Sequence, residues 1–472
     1  MKKESIRKNI EELKKESEAI LSSENISAEV RLFIRSMMGI LEVLVTVFLE
    51  KKTRKNSSNS GLAPSRNNGT NGNRNKNSKH QAKLAGEIPN TKKTELLTNV
   101  SEETCAHCNK KLKNAKVLKT EIRKKLDLVY EVVEESFVGE TKQCQCGHVN
   151  PPSFPSGVEG EIQYGNGIKT TIINFLMVQM MSLERIQEHL HGLLGRLISQ
   201  ATMLKYVMQF YLSLEKWELQ EVEKILSAPT IHCDETSLRV NKKTMWIHSY
   251  SSEETTLLFL HEKRGIEAME EVGILSRYKG IIIHDCWQSY LSYKNTKHAL
   301  CGGHLLRELK FIEDSTKFKW ATEMKLLLKE TCLTVGKRKS AKVLTKKEYE
   351  KLEKTYTKIL KAAKKEMPPP LESQGKRGRI AQTDAQNLLD RLDRYKDSIL
   401  LFAKVKEVDF TNNRAERDLR VTKTKEKVAG CFRTIEYAKC FCRITSYMKS
   451  MRYRGYSALE AIALAIEGKI PS

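Results

Sequence analysis

Apolar residues recur at three- and four-residue steps along the first fifty positions of the chain. Ile6, Ile10 and Leu13 show this spacing, and the run from Ile34 to Phe48 repeats it. One face of an amphipathic helix has this period. The pattern predicts a helical hairpin or short coiled coil over residues 1–50, and it leaves self-association and packing within one domain equally open.

Helical spacing returns over residues 156–228, in two patterns separated between Gly192 and Ser199. A helix-turn-helix-like DNA-binding region is one interpretation of this pair, and plain helical packing is the other. From Thr230 the pattern changes to short β-branched and apolar runs. Three strands, a helix and a fourth buried strand over 230–291 predict an α/β unit.

The rest of the chain is mainly helical in pattern, and the whole sequence predicts a multidomain α+β protein. Residues 299–366 are helical and lysine-rich, and helix resumes from Asp384. The predicted segments are a helical or coiled-coil segment at 1–50, a basic Asn/Ser-rich linker at 51–100, a zinc-binding segment at 101–155, the helix-turn-helix-like region at 156–228, an α/β domain at 229–440 with a helical insertion at about 310–385, and C-terminal helices at 441–472.

The charge balance predicts a polyanionic partner. Lysine and arginine total 82 against 58 acidic residues, which gives a formal net charge of +24. Such a field attracts phosphate backbones, although a merely basic soluble protein would share it. Residues 51–84 hold nine lysines or arginines and no acid. This stretch is expected to be either a solvated spacer or a flexible tether that adds DNA phosphate contacts.

Nothing in the sequence predicts a membrane span or a secretory signal. The longest apolar run, at 37–49, contains Glu42 and is shorter than the ~20 residues that a spanning helix needs. The N-terminus is charged from its start and lacks an apolar core. We therefore expect a cytoplasmic protein, in which close cysteine pairs bind metal more often than they form disulfides.

Two close cysteine pairs lie in the segment at 101–155. One pair has two intervening residues and the other has a single one. Four thiolates that converge can hold one tetrahedral structural Zn²⁺ ion, and a neighbouring histidine could replace a thiolate. The predicted zinc ligands are Cys105, Cys108, Cys144 and Cys146, with His107 and His148 as alternatives.

Two aspartates occupy comparable places in the α/β unit. Asp234 lies in its first strand, and Asp285 directly follows its fourth strand. If the strands are neighbours, the carboxylates converge at one sheet edge, as a two-metal Mg²⁺ site requires. Either aspartate alone fits an ordinary turn or cap. A mononuclear zinc hydrolase that uses His232 and His284 is a further alternative, although His284 and Asp285 should face opposite sides.

Four motifs give the chain a resemblance to a known family. They are CDET at 233–236, HDCWQSY at 284–290, CGGH at 301–304 and NNRAERDLR at 412–420. With these motifs the chain resembles the DDE transposases of the insertion sequence 66 family, and NNRAERDLR is the most specific match. Upstream, KNSSNSGLAPS at 55–65 and FPSGVEGEIQYG at 154–165 are also similar to that family, as are the cysteine pairs.

The resemblance implies a ribonuclease-H-like α/β catalytic core with a helical insertion between its second and third acids. It implies that Asp234, Asp285 and Glu416 are catalytic acids that bind Mg²⁺ or Mn²⁺. The implied reaction nicks transposon ends and joins the freed 3′-hydroxyl to target DNA. Expected partners are double-stranded DNA at the ends and the target, further copies of the chain, and accessory proteins of the same element. The protein would be nucleoid-associated when bound to DNA.

Several alternatives remain open at this point. The chain could be a catalytically inactive, zinc-containing DNA-binding relic of a transposase, or a host ribonuclease-H-like nuclease. Glu416 fits a helix capping box with Asn413 as the cap, and Asp418 is the rival acid within the motif. Cys301 and His304, three residues apart on one predicted helix face, suggest either packing or a thiol nucleophile with its base.

Overall fold

The structure is a computed structural model that describes residues 102–123, 130–155, 157–338, 343–368 and 382–471. The predicted helical segment at 1–50 and basic linker at 51–100 lie outside the described residues. Within the described ranges, no helix is both long enough and apolar enough to cross a bilayer.

A mixed five-stranded sheet lies at the centre of the fold. Its order is β5-β4-β3-β6-β7, with β3, β4 and β5 antiparallel and with β6 and β7 parallel to β3. The four predicted strands form, and β7 is an addition. β6 consists of three isoleucines and a histidine, and β3 begins with Thr230 and Ile231 and ends with Val240, and such β-branched residues favour extended backbone. The strands are β3 (Thr230–Val240), β4 (Lys243–Ser251), β5 (Thr256–His261), β6 (Ile281–His284) and β7 (Lys297–Leu300).

Fourteen α-helices are present in the described residues, and a short hairpin of β1 (Lys142–Gln143) and β2 (Val149–Asn150) precedes them. The first six helices are α1 (Asn166–Ile173), α2 (Leu183–Leu194), α3 (Gln200–Ser213), α4 (Glu215–Ser227), α5 (Ile266–Val272) and α6 (Gln288–Leu291). The other eight are α7 (Gly302–Thr316), α8 (Lys319–Lys337), α9 (Lys346–Glu366), α10 (Asp384–Arg394), α11 (Lys396–Leu400), α12 (Asn413–Ala429), α13 (Ile435–Tyr453) and α14 (Ala458–Ile466).

The first of two hydrophobic cores joins the sheet to helices from both ends of the described chain. Met203, Val207 and Phe210 of α3 are buried in it together with Phe441 and Tyr447 of α13. The edge of the Tyr447 ring packs on Phe210, with ring centroids 6.0 Å apart. The predicted region at 156–228 and the C-terminal helices therefore pack around one core shared with the sheet.

The second core belongs to the helices between β7 and α12. Leu309 and Trp320 pack there with Tyr356, Leu389 and Leu400, all of them buried. These helices run from 302 to 400, a wider span than the predicted insertion at about 310–385. The span is wider because α7 starts directly after β7, and α11 contributes to the same core.

A buried histidine on β4 should make the fold sensitive to acid. Burial lowers the pKa of His248 to about 4, against 6.5 for a free histidine. The unfolded chain gains this proton below pH 6.5, whereas the folded chain gains it only near pH 4. Stability from His248 is therefore complete above pH 6.5 and is lost as the pH falls toward 4, by about 3 kcal/mol in total.

We expect the melting temperature of His248→Gln, taken relative to the wild type, to increase as the pH falls from 6.5 to 4, because the variant lacks the loss of stability that His248 causes. His191→Gln is the matched control, because His191 is exposed on α2 and changes its surroundings little on unfolding. Thermal melts between pH 6.5 and pH 4 give the melting temperatures of the two variants and of the wild type. An unchanged slope in His248→Gln would show that another group controls the acid sensitivity.

Candidate active site on two parallel strands

Asp234 and Asp285 lie at the same level on neighbouring strands. β3 and β6 are parallel, and His232 is the register partner of Ile283. Each aspartate follows its member of that pair by two residues, so both aspartates lie at one level of the sheet, where β6 ends beside the middle of β3. The expectation that these strands are neighbours is confirmed by the sheet order.

The backbone after Asp285 turns sharply and fixes the carboxyl group. Cys286 has a φ of 72°, a left-handed conformation that costs energy for a residue with a side chain. This turn lets the backbone N–H of Trp287 donate to Asp285 Oδ1 at 3.0 Å. Asp285 is thus held by its own chain and still has lone pairs available for a ligand.

The second carboxyl group of the CDET motif, that of Glu235, is engaged in hydrogen bonds within the protein. Glu235 is buried and accepts hydrogen bonds from the Tyr290 hydroxyl and Arg264 Nη2, both at 2.6 Å. The Arg264 guanidinium lies between two indoles, 4.2 Å from the Trp287 ring centroid and 5.0 Å from that of Trp246. Glu235 therefore supports the turn after Asp285, while Asp234 points to the other face of β3.

Glu416 lies in the first turn of α12, but not where a capping box would place it. The helix begins at Asn413, and its N-cap Asn412 makes no side-chain capping bond. Glu416 is therefore the fourth helical residue, whereas a capping box needs the third. Its Oε1 lies 3.7 Å from His304 Nδ1 and 3.8 Å from Arg307 Nη2, both on α7. The interpretation of Asn413 and Glu416 as a cap pair is wrong.

Asn412 connects the elements that carry the three acids. Its Nδ2 donates to the Cys233 carbonyl at 2.7 Å, and its Oδ1 lies 3.0 Å from His232 Nδ1. Its backbone N–H donates to Cys301 Sγ at 3.1 Å. The backbone N–H of Cys301 in turn donates to the carbonyl of His284, the residue before Asp285. The sequence pattern did not predict this role, because it placed the functional asparagine one position later.

Asp418, the rival third acid, has a different environment. It is buried and accepts hydrogen bonds from the hydroxyls of Thr256 at 2.7 Å, Tyr453 at 2.8 Å and Ser251 at 2.9 Å. Lys449 Nζ lies 3.3 Å from it. These partners tie α12 to β4, β5 and α13, so Asp418 stabilises the fold and has little capacity left for a ligand.

Asp234 and Asp285 lie at the same level of β3 and β6, and the charge of Glu416 also acts on Asp234, so we call these three residues the acid cluster. Among the described residues, their ligand atoms do not all lie within 4.8 Å of one another. Burial, together with the negative charges of Glu235, Asp285 and Glu416, raises the pKa of Asp234 to about 8. At neutral pH without a cation, this carboxyl group is mostly protonated. A bound cation would offset the repulsion and displace the proton, so the residues suit a hard divalent ion.

The histidines of the alternative zinc hydrolase site point to different partners. His232 Nε2 lies 3.5 Å from Asp409 Oδ2, and its other ring nitrogen faces Asn412. His284 is buried, with Nε2 3.1 Å from His298 Nδ1. In the part of the chain that the structure describes, these two histidines do not belong to one ligand group.

The predicted zinc ligands lie on two separate turns. Cys105 and Cys108 flank a turn in which the Asn109 N–H donates to the Cys105 carbonyl at 2.9 Å. Cys144 and Cys146 lie in the β1–β2 hairpin, where the Cys144 N–H donates to the His148 carbonyl at 2.8 Å. Among the described residues, the four thiols do not form one close ligand group. A single zinc ion shared by the two turns stays a prediction.

The fold and the site together define a mixed α/β protein in which two aspartates lie at one level of two parallel strands and a glutamate lies on a nearby helix. The model of the transposase IS66 family matches residues 161–440, more than half of the chain. The chain therefore belongs to the transposase IS66 family, whose function is transposition. This match covers the whole acid cluster and confirms the family resemblance seen in the motifs. No curated protein matches the chain.

Proposed function

We propose that the protein binds the ends of its transposon, nicks them and joins the freed 3′-hydroxyl to target DNA. The observation that carries this proposal is the parallel register of β3 and β6, which brings Asp234 and Asp285 to the same level of the sheet. The negative charges of Asp285 and Glu416 both act on Asp234, whose pKa is raised mainly by burial. The sheet order, with three antiparallel strands followed by two parallel ones, supports a ribonuclease-H-like core. Carboxylate oxygens are the ligands that Mg²⁺ and Mn²⁺ prefer.

Asp234, Asp285 and Glu416 would hold these ions. When bound, two such ions supply activation of the attacking oxygen and stabilisation of the leaving oxygen. In the nick, a water oxygen bonds to phosphorus and the bond from phosphorus to the 3′ oxygen breaks. In the transfer, the freed 3′ oxygen attacks a target phosphorus and displaces the 3′ oxygen of the target strand.

Exposed cations around the acid cluster support DNA as the substrate. Arg307 and Lys310 on α7 are about half exposed, and Arg417 and Arg420 on α12 are exposed. Flexible cations of this kind bind phosphate oxygens and place a backbone without reading its sequence. Arg307 Nη2 lies 3.8 Å from Glu416 Oε1, and Arg417 and Arg420 are on the same helix as Glu416, so a DNA strand that contacts these cations would run near the carboxylate.

The proposal is tested with the full chain and duplex DNA that flanks its own gene. We expect nicks at the terminal repeats with free 3′-hydroxyls in Mg²⁺ or Mn²⁺, and none in EDTA. Binding without cleavage in either ion would identify an inactive relic. Equal cleavage of DNA that lacks the repeats would identify a nuclease.

A further inference from the structure

The acid Glu416 faces a second set of ligand atoms on α7. One ligand atom from each of Cys301, His304 and Glu416 lies within 4.8 Å of the other two. Within the described ranges, this is the one group of three such residues that is so close. The group combines a thiol, an imidazole and a carboxylate, a set that suits a softer ion than Mg²⁺.

The spacing fits a tetrahedral ion. Zinc bonds to sulfur, nitrogen and oxygen of about 2.0–2.3 Å place neighbouring ligands roughly 3.3–3.8 Å apart. His304 Nδ1 and Glu416 Oε1 are 3.7 Å apart. Cys301 and His304 are three residues apart at the start of one helix, so both side chains point toward α12.

The surroundings of Cys301 Sγ and His304 Nδ1 also favour a bound metal ion. Cys301 Sγ accepts the backbone N–H of Asn412 at 3.1 Å, which fixes the sulfur against the start of α12. His304 Nδ1 is buried and has no hydrogen-bond partner among the described residues. A buried polar atom without a partner is costly, and a metal bond would satisfy it. Arg307 is the competing cation beside Glu416, but its side chain is half exposed and can turn to solvent.

We propose that Cys301, His304 and Glu416 bind a Zn²⁺ ion, with the fourth position open to water. Glu416 then belongs to two sites, and zinc withdraws it from Asp234 and Asp285. Zinc occupancy would therefore inhibit DNA cleavage. The zinc site itself is independent of the proposed function, whereas the inhibition rests on it.

Cobalt binding to the metal-free full chain tests the site directly. Co²⁺ replaces Zn²⁺ and gives a thiolate charge-transfer band. We expect Cys301→Ser to bind one Co²⁺ fewer than the wild type and to lose part of that band. Cys332→Ser, which removes a half-buried thiol on α8, is the matched control and should behave as the wild type. Equal stoichiometry in Cys301→Ser and the wild type would overturn the site.

Two other variants keep the test decisive if Cys301→Ser does not fold. His304→Gln and Glu416→Gln leave the contact between Cys301 and Asn412 in place. Each should weaken cobalt binding at this site at least tenfold, by loss of one of three protein ligands. Unchanged affinity in both would also overturn the proposal.

The inhibition is measured as cleavage in saturating Mg²⁺ with increasing Zn²⁺, each protein being normalised to its own rate without zinc. Cys301→Ser should need at least tenfold more zinc than the wild type for half inhibition. Equal sensitivity would separate zinc binding from inhibition and refute the shared role of Glu416. If no protein cleaves DNA, the proposed function fails, and the cobalt experiment still decides the zinc site.

Discussion

Asp234→Asn and Asp285→Asn are each expected to reduce DNA cleavage by roughly a thousandfold or more, with DNA affinity within about twofold of the wild type. An amide keeps the size of the carboxyl group but is a poor ligand for Mg²⁺. In the proposed function the phosphate contacts would come from the surrounding cations, which neither substitution alters. Single-turnover cleavage in Mg²⁺ and equilibrium DNA binding in EDTA measure the two effects separately.

Asp314→Asn is the control for these variants. Asp314 is an exposed carboxylate on α7 that pairs with Lys310 at 2.5 Å, and its loss should leave the cleavage rate within about twofold of the wild type. Full activity in either Asp234→Asn or Asp285→Asn would rule out the acid cluster as the metal site.

The pH dependence of stability gives Asp234→Asn a signature that needs no DNA. The folded chain holds the Asp234 proton up to about pH 8, whereas the unfolded chain releases it near pH 4. The contribution of Asp234 to the stability of the metal-free chain should therefore fall as the pH rises from about 4 to about 8, opposite in sign to the contribution of His248 between pH 4 and pH 6.5. Asp234→Asn lacks this loss, so its melting temperature relative to the wild type should increase across that range.

Glu416→Gln and Asp418→Asn should give opposite results, although the two acids are two residues apart. Glu416→Gln is expected to keep the melting temperature and to lose cleavage by roughly a thousandfold, because it removes a metal ligand. Asp418→Asn removes the charge that three hydroxyls and Lys449 stabilise, so it should cost about 2–4 kcal/mol of stability. Thermal melts and cleavage assays on both variants measure the contrast.

Either of two results would contradict the roles assigned to Glu416 and Asp418. Normal cleavage by Glu416→Gln would mean that the third acid lies elsewhere. A stable Asp418→Asn that has lost cleavage would move the metal site toward β4 and β5.

The sequence predicted the strands that carry Asp234 and Asp285 better than the contacts around these residues. Short β-branched and apolar runs identified β3 and β6, and the parallel register of these neighbours brings the two aspartates to one level of the sheet. The strand β7 was not predicted, because its four residues leave too short a pattern between a turn and a helix.

The roles of Asn412 and Arg264 could not be read from local pattern. Asn412 acts on residues about 110 and 180 positions away, and a helix-start motif shows only that an asparagine precedes the helix. Arg264 follows β5 as an ordinary loop cation, and only the tertiary fold places it between two tryptophans. Cys301 and His304 were recognised as one helix face, but the sequence did not supply Glu416 as their third member.

The long helical span between β7 and α12 begins and ends at a single neck. There the Gly302 N–H donates to the Phe410 carbonyl at 2.8 Å, and a Cβ on Gly302 would overlap the Phe410 ring. Because the neck is closed by these contacts, the chain between its two sides can lengthen or shorten at small entropic cost. The helical span between β7 and α12 can therefore change in length during evolution, while the distance in space from Asp285 to Glu416 stays constant.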